Sequence, residues 1–183
     1  MKTIPKEAFK YTKLRTIRIP SSVTSIRESA FSDSSQLQTV YLEDNITYID
    51  KTTFDRTALD KNSTEGVLYV GNYLIKADLS LAGSYTIKDG TVYIAGKAFE
   101  GCENITDIII TDEVASLGEE TFAGCKGLQK LTIGNGVTNI GDKAFCDCTS
   151  LDEINLGSGV ELINSDAFSG CSTQKKINIA NIA

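Results

Sequence analysis

The sequence contains no histidine among its 183 residues. This absence excludes Ser–His and Cys–His nucleophile pairs, and it excludes metal sites built on imidazole ligands. A catalytic group would have to be a carboxylate pair, a lysine, or a cysteine without a histidine base. Adjacent acids occur at Asp112-Glu113, Glu119-Glu120 and Asp152-Glu153, but neighbours in an extended chain point to opposite faces and do not form an acid–base pair. The sequence therefore favours a protein that is not an enzyme and that uses no cofactor.

Long apolar runs are also missing. No stretch approaches the roughly 20 residues that span a bilayer, so we expect no membrane insertion, and no secretory signal peptide is present. The net charge of -6 opposes nucleic-acid binding, which requires a basic surface. Charge is uneven along the chain, because residues 1–30 hold seven basic side chains and only two acidic ones. This basic end is either solvated surface or a local site for an acidic partner.

Phenylalanine marks a repeat with a period close to 23 residues. All seven phenylalanines occupy one repeat position, each preceded by alanine or threonine: Phe9, Phe31, Phe54, Phe99, Phe122, Phe145 and Phe168. A fixed period of this length is typical of a repeat solenoid. One aromatic residue per coil, beside a small residue, predicts a continuous buried stack of rings.

Downstream of each phenylalanine, an apolar pattern ends in two apolar residues that flank one outward position. Leu131 and Ile133 are an example. This period of two predicts a short strand with one buried face, and copies one coil apart must pair in parallel. A second apolar pair, such as Val137 and Ile140, predicts the opposite wall of each coil. The sequence thus predicts an α/β repeat solenoid that is mostly β, with at most one helical turn in each Ala-Phe segment.

The interval between Phe54 and Phe99 breaks the period, with 45 residues in place of 23. It contains two β-prone runs around a Gly-Asn dipeptide, which is a hairpin signal. We expect an inserted β-hairpin over residues 66–78, with Tyr69 and Tyr73 on a projecting flap as further binding residues. The alternative is a degenerate extra repeat, since the surplus is nearly one period.

Four of the five cysteines follow the same period, each three residues after a phenylalanine: Cys102, Cys125, Cys148 and Cys171. Their fixed place predicts a ladder of small buried side chains and not a disulfide framework. Cys146 lies outside this ladder and forms a Cys-x-Cys pair with Cys148. Because no second pair completes a set of four ligands, we expect no zinc site.

The repeated residues resemble the BspA-like branch of the leucine-rich-repeat proteins, whose unit is roughly I-x-x-x-A-F-x-x-C-x-x-L-x-x-I-x-I-P-x-x-V-x-x. The match covers nearly the whole chain and is closest in residues 99–171. It departs at Thr12, Ser34 and Thr57, where the family often has Cys, and at Gln174, where it has Leu. The resemblance implies a single right-handed leucine-rich-repeat domain over residues 1–183, with a parallel sheet on its concave side and the hairpin inserted in it.

The resemblance also implies a location. Family members are mostly large secreted or surface-attached proteins of anaerobic bacteria and some protists, and several are linked to adhesion. We therefore expect an extracellular or cell-surface protein. The chain enters midway through one repeat at Ile4 and stops just after the strand of another at Ile179, so we expect it to be part of a larger surface protein.

The concave sheet implied by the resemblance offers a binding face. Between its two buried residues, each strand presents one outward side chain: Arg18, Tyr41, Thr86, Ile109, Thr132, Asn155 and Asn178. At about 4.8 Å between paired strands, seven strands make a face about 30 Å long, which suits a protein contact. Arg and Tyr are frequent at interface hot spots, so Arg18 and Tyr41, together with the exposed Ile109, are the strongest candidates.

We therefore predict a non-enzymatic binding or adhesion module that presents an extended surface to a protein partner, such as a host matrix or cell-surface protein. A glycan is the second class of partner that such a surface suits. The alternative is a structural role, in which the repeats form a spacer or stalk that projects other domains.

Overall fold

A computed structural model describes residues 2–61, 63, 65–171 and 176–179. The chain winds into a β-solenoid with almost no helix, which confirms the predicted fold class. Gln174, where the sequence departs from the family pattern, lies outside the described residues. The one described helix is α1, Ala58–Lys61. The strands are β1 Thr3–Ile4, β2 Thr16–Arg18, β3 Ser25–Ile26, β4 Thr39–Tyr41, β5 Tyr48–Ile49, β6 Val67–Val70, β7 Tyr73–Ala77, β8 Gly83–Thr86, β9 Tyr93–Ile94, β10 Ile105–Ile110, β11 Ser116–Leu117, β12 Lys130–Ile133, β13 Asn139–Ile140, β14 Glu153–Leu156, β15 Leu162–Ile163 and β16 Lys176–Ile179.

Each regular coil contributes one longer strand and one two-residue strand, and these build two walls. The longer strands form the long-strand wall: β2, β4, β8, β10, β12, β14 and β16. Within it, Ile108 pairs with Leu131, and Leu131 pairs with Ile154, so that every partner is one repeat away. The two-residue strands form the short-strand wall, where Leu117 pairs with Ile140. All these pairs are parallel, as the period predicts.

The long-strand wall is divided into two sheets. In the described part of the chain, β2 pairs with β4, and a separate sheet has the order β16-β14-β12-β10-β8. The expectation of one continuous seven-stranded face is therefore wrong. The physical reason is that the chain between β4 and β8 forms α1 and the β6–β7 hairpin where a regular coil would supply a long strand.

The hairpin is part of the short-strand wall. β6 and β7 pair antiparallel, and β7 pairs in parallel with β9 on its other side. The hairpin is therefore packed into the solenoid and does not extend from it as a flap. It lies where the first coils meet the later ones, next to a single parallel bridge between Asp50 and Gly96.

The phenylalanine rings form two buried stacks. The first has centroid distances of 5.2 Å for Phe9–Phe31 and 5.7 Å for Phe31–Phe54. In the second, the distances are 4.7, 5.1 and 5.2 Å along Phe99, Phe122, Phe145 and Phe168. Among the described residues no stacked pair joins the two series, and Phe99 instead contacts the tilted ring of Tyr85 at 5.9 Å. The predicted stack is therefore real but discontinuous, because the hairpin separates the two series.

The backbone turns sharply after every phenylalanine. The residue two positions beyond each ring has a positive φ: Tyr11, Asp33, Arg56, Gly101, Gly124, Asp147 and Gly170. Only three of these residues are glycine, and the left-handed conformation costs a side-chain-bearing residue roughly 1–2 kcal/mol. Since every coil shares this turn, the strain at Tyr11 and Arg56 belongs to the repeat and does not indicate a functional site.

Candidate binding surfaces

The seven outward residues of the long-strand wall differ in accessibility. Four are exposed, namely Arg18, Tyr41, Thr86 and Ile109, and three are half-buried, namely Thr132, Asn155 and Asn178. The division of the wall places Arg18 and Tyr41 on the two-stranded sheet and the other residues on the five-stranded sheet. The structure thus distributes the predicted site over two surfaces.

Arg18 and Tyr41 form a stacked pair. They lie opposite each other in the register of β2 and β4. The guanidinium carbon of Arg18 is 4.7 Å from the centre of the Tyr41 ring, within the range of a cation–π contact. Arg18 Nη1 also lies 3.8 Å from Glu43 Oε1, yet the Arg18 side chain remains 68% exposed. The pair therefore presents an ordered cationic and aromatic surface to solvent.

The asparagines at the other end of the wall are engaged in contacts between coils. The side-chain amide of Asn178 donates a hydrogen bond to Asn155 Oδ1 at 2.5 Å. Asn155 Nδ2 in turn donates to Glu153 Oε1 at 3.0 Å, and Lys130 forms an ion pair with the same carboxylate at 3.3 Å. These side chains hold neighbouring strands together, so they offer less free hydrogen-bonding capacity than Arg18.

The hairpin tyrosines are not on a flap. Tyr73 is 1% exposed, and its hydroxyl donates to the Glu43 carbonyl oxygen at 2.8 Å and accepts from the Ile46 N–H at 3.1 Å. Burial raises the pKa of Tyr73. Tyr69 is half-buried, with its hydroxyl 3.1 Å from that of Tyr85. The predicted position of Tyr73 on a projecting flap is therefore wrong, because the hairpin turns its side chain into the first coils.

A polar cavity lies beside the hairpin. Its volume is about 500 Å³, and a neighbouring cavity of about 270 Å³ shares Lys76 with it. Lys76 Nζ lies 2.5 Å from Asp55 Oδ1 and 2.8 Å from Asp60 Oδ1. Burial would lower the pKa of Lys76, but the two carboxylates outweigh it and raise that pKa. These charged groups thus neutralise one another, and their ion pairs hold the hairpin against the coil that contains Asp55 and Asp60.

A second depression lies on the long-strand wall and is called here the β10–β12 groove. It has a volume of about 420 Å³ and is lined by Asp89, residues 109–113 and residues 132–135. The exposed Ile109 is part of it. The sequence pattern excluded Asp112 and Glu113 as an acid–base pair and did not predict this groove. A usable signal was the repeat spacing, because Asp89 and Asp112 are one period apart.

The described residues offer no metal site and no membrane span. In residues 2–61, 63, 65–171 and 176–179, no group of three or more His, Cys, Asp or Glu side chains is placed to hold a metal ion. Over the same residues, no helix has the length and apolar character needed to cross a bilayer.

The cysteine ladder is confirmed, since Cys102, Cys125 and Cys148 are buried, Cys171 is half-buried, and none of the five cysteines forms a disulfide. Three ladder thiols donate to the phenylalanine carbonyl of the preceding coil, at 3.2 Å from Cys125 to Phe99, 3.2 Å from Cys148 to Phe122 and 3.1 Å from Cys171 to Phe145. Cys102 follows the irregular coil and donates instead to the Asp78 carbonyl at 3.6 Å. Ser34 makes the same contact, because its hydroxyl donates to the Phe9 carbonyl at 2.8 Å. A small donor at this position is therefore what the coil requires, which explains why Ser replaces Cys without changing the fold.

We expect native-state alkylation at Cys146 to precede alkylation of the ladder. Burial, followed by the neighbouring Cys125, raises the pKa of Cys102 to about 12. Because the thiolate is the reactive form, a rise of three units lowers its fraction at pH 8 by about a thousandfold. Cys146 is half-buried, and its pKa is raised mainly by burial. Peptide mapping after iodoacetamide treatment measures the alkylation rates of Cys146 and Cys102. Faster alkylation of Cys102 than of Cys146 in the folded protein would contradict the buried ladder. In urea, where the protein is unfolded, the two rates should become equal.

Comparison with known families gives a match to the BspA type leucine rich repeat region. Six copies are found, over residues 2–81 and 70–183. The two matches together extend over nearly the whole sequence.

Three solved structures illustrate the similarity in fold. A leucine rich cell surface protein from Faecalibacterium prausnitzii has a TM-score of 0.62 and 23% identity, covering 98% of this chain and 52% of that one. The pneumococcal vaccine antigen PcpA has a TM-score of 0.64 and 20% identity, covering 99% and 54%. A leucine-rich repeat protein from Bacteroides capillosus has a TM-score of 0.52 and 24% identity, covering 64% and 100%. The chain thus spans about half the length of the first two structures. No significant match is found among curated proteins.

Proposed function

The chain belongs to the BspA-type leucine-rich-repeat family, and from this premise we propose that it is a non-enzymatic binding module that holds a protein partner on its long-strand wall. Solenoids of stacked repeats commonly bind through extended surfaces of this kind. The absence of histidine supports a role without catalysis. We place the protein at a cell surface, and the supporting observation is that one similar structure is described as a leucine rich cell surface protein.

The observation that carries the proposal is the exposed stack of Arg18 on Tyr41. Arginine and tyrosine are among the residues most often found at interface hot spots. Because the guanidinium already lies 4.7 Å from the ring centre, this contact restricts the Arg18 side chain before a partner binds, and the entropy cost of binding falls. The free edge of the guanidinium suits a carboxylate, so the partner should present an acidic group here.

The double variant Arg18→Glu/Tyr41→Ala should lose at least about tenfold in affinity for the partner, since truncating a hot spot costs about 2 kcal/mol or more. The partner is first identified by screening the purified protein against arrays of extracellular-matrix proteins and glycans. Surface plasmon resonance on each hit then compares wild type with the variant. A protein hit that depends on the pair supports the proposal, and a hit confined to glycans would change the class of partner.

The short-strand wall supplies a matched control. Arg27 lies 4.6 Å from the ring centre of Tyr48, so Arg27→Glu/Tyr48→Ala removes the same residue types from a different surface. This variant should retain the affinity of wild type within about twofold, because surface substitutions outside an interface have small effects. Equal losses in both variants would contradict a site on the long-strand wall.

A structural spacer is the second candidate function. Its supporting observation is that ion pairs link neighbouring coils on the surface, including Lys6–Glu28 at 2.8 Å and Lys126–Glu103 at 2.7 Å. Together with the ring stacks, these contacts favour a stiff rod. A spacer predicts that the folded protein binds nothing in the screen and that its outward side chains can be replaced freely.

A further inference from the structure

We propose that the β10–β12 groove docks an extended segment of another protein in which an aliphatic side chain stands between basic ones. The inference rests on the proposal that the long-strand wall binds proteins, and it names the chemistry of a partner at a second place on that wall. It uses neither Arg18 nor Tyr41, so the two sites are tested independently.

The first observation is an unusual apolar residue within the groove. The outward position carries Thr86, Thr132 and Asn155 in the neighbouring coils, whereas the coil between Thr86 and Thr132 has Ile109, which is 40% exposed. A single exposed aliphatic residue on an open surface is ordinary. Ile109, however, lines an open depression of about 420 Å³, so an incoming aliphatic side chain can pack against it beside the groove's other residues.

The second observation is unbalanced negative charge. Asp89, Asp112 and Glu113 line the groove, and its lining contains no lysine or arginine. In the described part of the chain, none of the three carboxylates has an ion-pair partner, whereas exposed acids of other coils, such as Glu28 and Glu103, are each paired with a lysine one coil away. The acids lie in two successive coils, at Asp89 and at Asp112 with Glu113, so the field attracts basic side chains at two places along the groove.

The remaining polar groups suit a peptide and not a metal ion. The three carboxylates are not placed together as ligands in the described residues. One of them, Asp112, already accepts a hydrogen bond from the Asn135 N–H at 2.7 Å. Thr111 Oγ1 is buried at the groove without a hydrogen-bond partner among the described residues. Because this oxygen is closed to solvent, a docked segment is held instead by the exposed carboxylates of Asp112 and Glu113.

The test uses the full chain and a short synthetic peptide with uncharged ends, in which one arginine lies two residues before a leucine and another lies two residues after it, so that all three side chains share one face of the extended peptide. Isothermal titration should show binding that weakens as salt is raised, because the attraction is between exposed charges. The groove variant Asp89→Asn/Glu113→Gln should lose about tenfold in affinity. The control Glu119→Gln/Glu161→Gln makes the same change in net charge at exposed positions elsewhere and should lose less than about twofold.

The apolar part is tested separately. Ile109→Ser should weaken binding while Ile109→Val preserves it, and a peptide with serine in place of leucine should bind less well than the original. Equal losses in the groove variant and its control would overturn the proposal, since attraction to acidic surface in general would then explain the binding. If the peptide does not bind, while a partner protein found in the screen still depends on Arg18 and Tyr41, the groove proposal is overturned and the proposed function stays intact.

A second copy of the chain is the alternative occupant of the groove, because its residues 1–30 are basic. Sedimentation velocity of the wild-type protein alone should show a monomer over the concentrations used in the titrations. Self-association that Asp89→Asn/Glu113→Gln abolishes would identify another copy as the occupant and overturn the proposal of a different protein.

Discussion

Phe122→Ala is expected to lower the free energy of unfolding by about 3–5 kcal/mol, as loss of a large buried aromatic side chain does. Phe122 is fully buried, and its ring lies 4.7 Å from that of Phe99 and 5.1 Å from that of Phe145. A cavity opened between two stacked rings closes poorly, because the strands on both sides are fixed by parallel pairing. Urea unfolding followed by circular dichroism measures the loss.

Phe9→Ala is the matched control for this prediction. Phe9 is half-buried and has a stacked neighbour on one side only, Phe31, within the described residues. It therefore has fewer contacts to lose, and its side-chain site can be filled by solvent. We expect its effect to be about half that of Phe122→Ala or less. A loss at Phe9 that equals or exceeds the loss at Phe122 would contradict the central role of the second ring stack.

Tyr73→Ala is expected to be similarly damaging, by about 3–5 kcal/mol, and to act at a particular place. Tyr73 is the buried link between the hairpin and the first coils, through its bonds to the Glu43 carbonyl and the Ile46 N–H, and it adds to the ion pairs of Lys76. Its loss should uncouple the first coils from the later ones. Hydrogen exchange measured by mass spectrometry should then show lost protection in residues 43–50, while residues 117–156 keep theirs.

Tyr73→Phe separates the hydroxyl from the ring. It retains the buried ring and removes the acceptor of the Ile46 N–H, which costs about 1–3 kcal/mol, while the Glu43 carbonyl keeps the hydrogen bond that it accepts from the Asn45 N–H at 2.8 Å. Tyr69→Phe is the control, since the Tyr69 hydroxyl contacts Tyr85 and the Lys88 N–H at the half-buried edge of the hairpin, and we expect a smaller loss there. Uniform loss of protection along the chain in Tyr73→Ala would show that the hairpin does not divide the solenoid into separately stable parts.

The regular coils could be predicted from the sequence because their information is local and repeated. One Phe, one small donor and two apolar pairs per period determine which side chains face inward, and parallel pairing of equivalent strands follows from their separation by one coil. Cys125 and Ser34 illustrate this, since both donate to the phenylalanine carbonyl of the preceding coil. The burial of the ladder could therefore be inferred without a structure.

The hairpin and the groove could not be predicted in the same way. The Gly-Asn dipeptide indicates a turn, but the partners of Tyr73 lie in the chain 27 and 30 residues earlier and no period relates them. The division of the long-strand wall has the same origin, because the hairpin and α1 occupy the place of one long strand. The groove depends on three carboxylates from two successive coils, and each of them alone is indistinguishable from solvated surface.

The contacts of Tyr73 have a consequence for how the chain finds its register during folding. Coils that are nearly identical in sequence pair almost equally well with the wrong neighbour, and a slip by one whole coil keeps every side chain on its correct face. Such slipped states are traps that repeated sequences readily enter. The hydrogen bonds from Tyr73 to Glu43 and Ile46 have no equivalent in a slipped arrangement. They therefore stabilise the native register over the slipped one. The irregular coil thus fixes the pairing register of the regular coils on either side of it.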